Sequence, residues 1–262
     1  MIKKRTYIIL IIIMVLFFVL SYIFLGADSL KRQKYESLIV IGNNSVFAYK
    51  NNNWDRLKVE NDTLKEFSWQ EFDIYSKNEK LGTYSLWYDS KWYAFDKKRK
   101  AINLDDSFIG ISSNYEIKVL DYQQEQFTSS NYVTQILKEN NLPINSQFTS
   151  NYKIDLDVDQ DESLEELYLI TNVFPIDFNP EKLFAIVFMV KGDNIYYLYK
   201  DIRNNNSFNG CKPFVQSILD VDNDNNYEVL ISCREYSVSS QTDLLYKYNA
   251  ENDEFKIIAS YP

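Results

Sequence analysis

The sequence predicts a mainly β protein of antiparallel meander repeats, with one N-terminal transmembrane helix and one short helix near 129–141. Three observations predict it. Apolar runs of four to seven residues recur along the chain, broken by Asn, Asp and Gly, as β-hairpins require. Tyr and Phe number 21 and 17, and both favour half-buried pleated strands. A unit of strand, acidic loop, strand and hairpin is written twice after residue 150. Hairpin following hairpin argues against βαβ units. With 45% hydrophobic and 16% aromatic residues, the 262-residue chain can bury a sizeable core.

The first element is the uncharged run 7–25, "YIILIIIMVLFFVLSYIFL". As a helix it is about 28 Å long, close to the thickness of bilayer hydrocarbon. Lys3, Lys4 and Arg5 precede it, and Lys31, Arg32 and Lys34 follow. A cleaved signal peptide ending near Phe24–Ala27 is the alternative; the run is long for that, and Leu25 is a poor fit at a small-residue position. The expectation is a retained single-pass anchor in the cell membrane, with the C-terminal domain extracytoplasmic. Residues 1–34 carry six basic side chains and one acidic, a net +5, so the total of −9 leaves −14 for the rest. So acidic a domain is a poor ligand for nucleic acid and a plausible host for cations.

Residues 35–128 read as an N-terminal β region. "LIVI", "GNNS" and "VFAYK" make one hairpin, and "YSLWY", "DSK" and "WYAF" another at 84–95. The stretch 61–75 fits either a short helix or an edge strand. Residues 129–143, "SSNYVTQILKENNLP", begin with a Ser cap and place Val133, Ile136 and Leu137 at helical spacing. Asn140, Asn141 and Pro143 stop that helix. It opens a C-terminal region, 129–262, that carries the two repeats. Each repeat amounts to one four-stranded sheet, so the region reads as a partial propeller-like or simpler β-sheet assembly. Cys211 and Cys233 bracket the second acidic loop, and their spacing is compatible with a disulfide or with two buried thiols.

The acidic loops are "DVDQDESLE" from Asp157 and "DVDNDNNYE" from Asp220. Positions 1, 3, 5 and 9 are Asp157, Asp159, Asp161 and Glu165, then Asp220, Asp222, Asp224 and Glu228. Position 7, Ser163 or Asn226, can offer a backbone carbonyl. Ca²⁺ takes six to eight hard oxygens, and alternating carboxylates on a tight turn supply them. Without a cation the four carboxylates repel one another, so the loop is expected to open and metal to couple to its folding. An EF-hand does not fit, because position 12 is Tyr168 or Ile231 and the flanks read as strands. A register starting at Asp155 puts Glu166 at position 12, but it has no counterpart in the second copy, where Ile218 replaces the first ligand.

A strand ending in D-x-D-x-D-x-x-x-E and followed at once by another strand resembles the calcium loop of FG-GAP and VCBS repeats. The resemblance covers about residues 150–260, on "YKIDLDVDQDESLEELYLI" and "SILDVDNDNNYEVLIS". It implies β repeats of the integrin-like kind, with Ca²⁺ held at positions 1, 3, 5 and 9. The family places glycine at positions 4 and 6. Here these are Gln160 and Glu162, then Asn223 and Asn225. Asn tolerates a left-handed backbone better than Glu, so the second loop is expected to be the better site.

The chain has no His, which excludes Ser-His-Asp triads, Cys-His dyads and His-ligated zinc. The expected function is therefore non-enzymatic. It is a calcium-binding β-repeat module for a protein or glycan at the cell envelope. A carboxylate hydrolase such as a glycosidase, or a structural subunit of an envelope complex, are the alternatives. Trp54, Trp69, Trp87 and Trp92 are candidates for a sugar-stacking face, though tryptophans are more often core. The 97–100 "KKRK" run reads as a solvated turn, or as a contact to an acidic partner.

Overall fold

The computed structural model describes residues 35–261 apart from 43–44, 52, 58–63, 66, 77–78, 90, 106, 115, 174–181, 205–210 and 236–240. The apolar run 7–25 lies outside these residues. Among the described residues, no helix is long and apolar enough to cross a membrane.

Among the described residues all strand pairs are antiparallel, in three sheets. The N-terminal sheet contains β1 (Ser37–Ile41), β2 (Ser45–Lys50), β3 (Asn53–Arg56), β4 (Gln70–Ser76), β5 (Glu79–Asp89), β6 (Lys91–Phe95), β7 (Ala101–Ile102) and β8 (Ile109–Ser113). Its order is β3-β2-β1-β8-β4-β5-β6-β7, so β8 returns to lie between β1 and β4. The ambiguous stretch 61–75 resolves into a helical turn at Leu64 and Lys65 followed by β4, an interior strand rather than an edge.

Each acidic repeat is a four-stranded meander. The first comprises β11 (Ser150–Leu156), β12 (Glu165–Thr171), β13 (Lys182–Lys191) and β14 (Asn194–Asn204). The second comprises β15 (Cys211–Asp220), β16 (Glu228–Glu235), β17 (Gln241–Asn249) and β18 (Glu254–Tyr261). Each gains a two-residue fifth strand from the segment before the helix. β9 (Lys118–Val119) pairs with β15, and β10 (Glu125–Gln126) pairs with β11.

Side-chain alternation along the strands sets the stacking. Val229, Ile231, Tyr246 and Tyr248 of the second repeat share a core with Leu167, Leu169, Val187 and Met189 of the first. The opposite face of the second repeat, with Leu219, Leu230 and Leu245, packs on Ile39, Phe47, Ile109 and Ile111 of the N-terminal sheet. The first repeat's other face, with Ile170, Phe184, Ile186 and Phe188, is covered by α1 (Asn131–Glu139). The layers thus run N-terminal sheet, second repeat, first repeat, helix. Sheets stack face to face as propeller blades do, but they do not close into a ring. Each fully buried Leu or Ile in these interfaces contributes about 1.5–3 kcal/mol.

The helix forms as its sequence dictates. Ser130 caps it, accepting a hydrogen bond from the Val133 N–H, and Val133, Ile136 and Leu137 are its buried residues. Asn140 ends it, its side chain donating to the Ile136 carbonyl. Cys211 and Cys233 form a disulfide with Cα atoms 5.6 Å apart. In the ladder Cys211 faces Glu235 and Cys233 faces Pro213, so the cysteines are diagonal neighbours.

Candidate metal centres

Each acidic loop joins the first and second strands of its meander, and the two adopt the same conformation. The position 9 carboxylate accepts from the position 2 N–H: Val158 to Glu165 at 2.8 Å, Val221 to Glu228 at 3.0 Å. The position 5 carboxylate accepts from the position 7 N–H: Ser163 to Asp161 at 2.8 Å, Asn226 to Asp224 at 2.9 Å. The position 1 carboxylate accepts from the position 6 N–H: Glu162 to Asp157 at 3.0 Å, Asn225 to Asp220 at 3.2 Å. Ser163 and Asn226 therefore serve the turn through their amide groups.

Positions 4 and 6 have a left-handed backbone in both copies. φ is 56° at Gln160 and 72° at Glu162, and 58° at Asn223 and 68° at Asn225. These are the positions where the resembled repeats carry glycine. The first loop keeps the bend despite residues that resist it, because its carboxylate-to-amide bonds fix the turn. Replacing Glu162 with Gly should stabilise the protein by about 0.5–1 kcal/mol, since a non-Gly residue in this region costs roughly 1 kcal/mol or more. Asn225→Gly should gain less, and thermal melting of the two variants side by side checks the ranking.

The turns gather three carboxylates each. Asp157, Asp159 and Glu165 offer oxygens lying within 4.8 Å of one another, as do Asp220, Asp222 and Glu228. Either cluster could hold a metal ion. Asp161 and Asp224, the position 5 acids, lie at the more exposed rim. The second cluster is the deeper, with Asp220 at 1% and Glu228 at 0% exposure. Burial pushes the Glu228 carboxyl up to about 8, helped by the charge of Asp222. Burial likewise raises Asp222, against the pull of Lys247. Several oxygens remain buried without a hydrogen-bond partner: Asp159 Oδ1 in the first loop, and Asp220 Oδ1 and Asp222 Oδ1 in the second. Buried acceptors normally have partners, and a cation in the cluster would supply one to each. The donor set is all hard oxygen, which suits Ca²⁺.

Each cluster also meets a cation that the motif does not contain, a lysine from the neighbouring strand. Lys247 Nζ lies 2.6 Å from Asp222 Oδ2, 2.6 Å from Asp224 Oδ2 and 3.2 Å from Glu228 Oε1. Lys191 Nζ lies 2.9 Å from Asp159 Oδ2, 3.5 Å from Asp161 Oδ2 and 2.7 Å from Glu165 Oε1. Burial works against both ammonium groups, but the surrounding carboxylates outweigh it and hold each above its ordinary pKa. Glu228 faces Lys247 directly across the β16–β17 ladder. In the first repeat the β12–β13 ladder reaches Glu166–Val190, one residue short of Glu165 and Lys191.

The loops also bind the layers together. The carbonyl of position 2 in the first loop, Val158, accepts from the Tyr227 N–H of the second loop at 2.8 Å. The carbonyl of position 2 in the second loop, Val221, accepts from Ser37 Oγ of the N-terminal sheet at 3.1 Å. Both clusters are thus brought to one region of the stack.

No family model matches the chain, and searches of curated proteins and of solved structures find no match either.

Of the four tryptophans, Trp92 is buried and Trp54 and Trp87 are half-buried. Trp69 is 53% exposed, with an unusual φ of 70°. It stands against Trp87 at 6.4 Å and Phe95 at 5.2 Å between ring centres, and Trp87 against Tyr93 at 5.7 Å. Arg99 and Lys91 lie over the rings of Trp69 and Tyr93. The "KKRK" run is an exposed turn, tied by Asp96 to the Lys98 and Lys100 N–H groups.

Proposed function

We propose that this protein is a membrane-anchored, extracytoplasmic calcium-binding β-repeat module that binds a protein or glycan at the cell envelope. The observation that carries this reading is the duplicated loop, whose buried carboxylate oxygens converge in both copies with acceptors left unpartnered. Residues 7–25 supply the anchor. Asp157, Asp159, Asp161 and Glu165 would hold one ion, and Asp220, Asp222, Asp224 and Glu228 another. When bound, the ion supplies positive charge that ties loop to strand. Both acid clusters sit on turns between strands, which supports binding over the hydrolase alternative. The aromatic group around Trp69, rimmed by Arg99 and Lys91, supports a glycan among the two partner classes, because sugar rings stack on such faces.

Calorimetry and thermal melting of the full chain in detergent test the metal reading. The expected dissociation constant is about 10⁻⁴–10⁻³ M, the range of extracellular calcium modules. Calcium should raise the melting temperature, and Asp222→Ala combined with Asp224→Ala should remove the second-loop component. Absence of heat and of any melting shift at millimolar calcium would overturn the reading.

A further inference from the structure

We propose that Lys191 and Lys247 are tethered cations: each occupies the cation position of its loop, holds the loop closed without metal, and must leave before a divalent ion binds. Only the last clause rests on the calcium reading above. The evidence is a coincidence repeated in two copies. In each, one ammonium meets the carboxylates of positions 3, 5 and 9, at 2.6–3.5 Å. The lysines reach those positions through different chain lengths, lying 26 and 19 residues after the position 9 glutamate. Different connectors therefore deliver the same group to the same place.

The chemistry is that of a site filled from within. Four carboxylates crowded on one turn need positive charge, and a lysine on the neighbouring strand supplies one unit of it. Asp220, almost fully buried, keeps Oδ1 unpartnered, so the ammonium leaves the cluster incompletely neutralised. A calcium ion bound at 2.3–2.6 Å to the oxygens that now hold Nζ would place +2 and +1 within about 4 Å, a repulsion large at any protein dielectric. The two cations therefore exclude one another. Lys247 has somewhere to go, since it lines an open cleft of about 600 Å³ with Tyr49, Asn53, Trp54 and Ile258. Lys191 already lies 5.3 Å over the Tyr248 ring, a second resting place for its charge. The consequence is a loop that stays folded at low calcium and fills only when calcium is abundant.

The test uses the full chain in detergent as wild type, Lys247→Gln, Lys191→Gln and, as surface control, Lys256→Gln. Calcium is titrated calorimetrically, and melting is followed with chelator present. The expected result is that each loop-lysine variant binds calcium about tenfold tighter or more, for loss of a competing charge within a few ångströms. Each should also melt lower than the control without metal and recover on calcium addition. Calcium bound by Lys247→Gln but not by wild type also supports the proposal, and shows the lysine to be a permanent replacement. Equal affinity in wild type and variants overturns the proposal while leaving the calcium reading intact. If neither binds calcium, the calcium reading fails, and metal-free melting decides the rest. Variants that melt below the control support the tethered cation; variants that melt with it overturn it.

Discussion

Replacing Asp243 with alanine should destabilise the protein by about 3 kcal/mol, the cost of emptying a buried charged hydrogen-bond hub. Asp243 lies on β17 with no exposed surface. Its Oδ1 accepts from Ser232 Oγ of β16 and Gln241 Nε2, and its Oδ2 accepts from Ser45 Oγ of β2. The last bond crosses from the second repeat to the N-terminal sheet. Alanine would leave three donors facing a cavity inside an otherwise apolar interface. Burial raises the Asp243 pKa, and the three donors only partly oppose it. A carboxyl whose folded pKa exceeds its unfolded value binds its proton more tightly in the fold. Its contribution to stability is therefore greatest below the unfolded pKa, near 3.9, and declines as pH rises through the folded pKa. Asp243→Asn should retain most of the stability and flatten that slope. Denaturant titrations at several pH values, on wild type and both variants, measure the two effects together. A D243A midpoint equal to wild type would show that the hub contributes nothing.

The second large effect is expected from the disulfide. Cys211 and Cys233 close a loop with sequence separation 22 that encloses the whole second acidic turn. Constraining the unfolded chain to that extent is worth about 3 kcal/mol on the loop-entropy model. Reductant should shift the denaturation midpoint accordingly. The double serine variant should match the reduced protein and be indifferent to reductant. The bridge joins diagonal neighbours on adjacent strands, so its loss should leave the ladder in register and cost stability without loss of fold. Two free thiols per chain in the unreduced protein would remove the basis of the prediction.

What the sequence made legible was local. The helix of 129–141 came from a cap, three spaced apolar residues and two asparagines, all acting within a few turns. The hairpin at 84–95 came from apolar runs split by a short polar turn. The loops came from a duplicated pattern, and their carboxylates do converge. Contacts between distant segments were not legible. The insertion of β8 between β1 and β4 depends on a ladder that no local pattern specifies. The strands β9 and β10 are two residues long and leave no periodicity to read. Lys191 and Lys247 escaped because connectors of unequal length separate them from the motif, hiding their equivalence. A charged residue in an otherwise buried strand opposite an acid was the one available signal. The role of Asp243 was hidden in the same way, since its partner Ser45 lies 198 positions away.

The placement of β1 has a mechanical consequence. The strand begins at Ser37 and is hydrogen-bonded along both edges, to β2 and to β8, with five registered pairs on each side. Traction transmitted through the preceding residues would load an interior strand, so two ladders must yield together before the chain can be drawn out. Ser37 is also the residue that grips the Val221 carbonyl. Pulling force would therefore arrive at the point where the N-terminal sheet braces the second acidic loop.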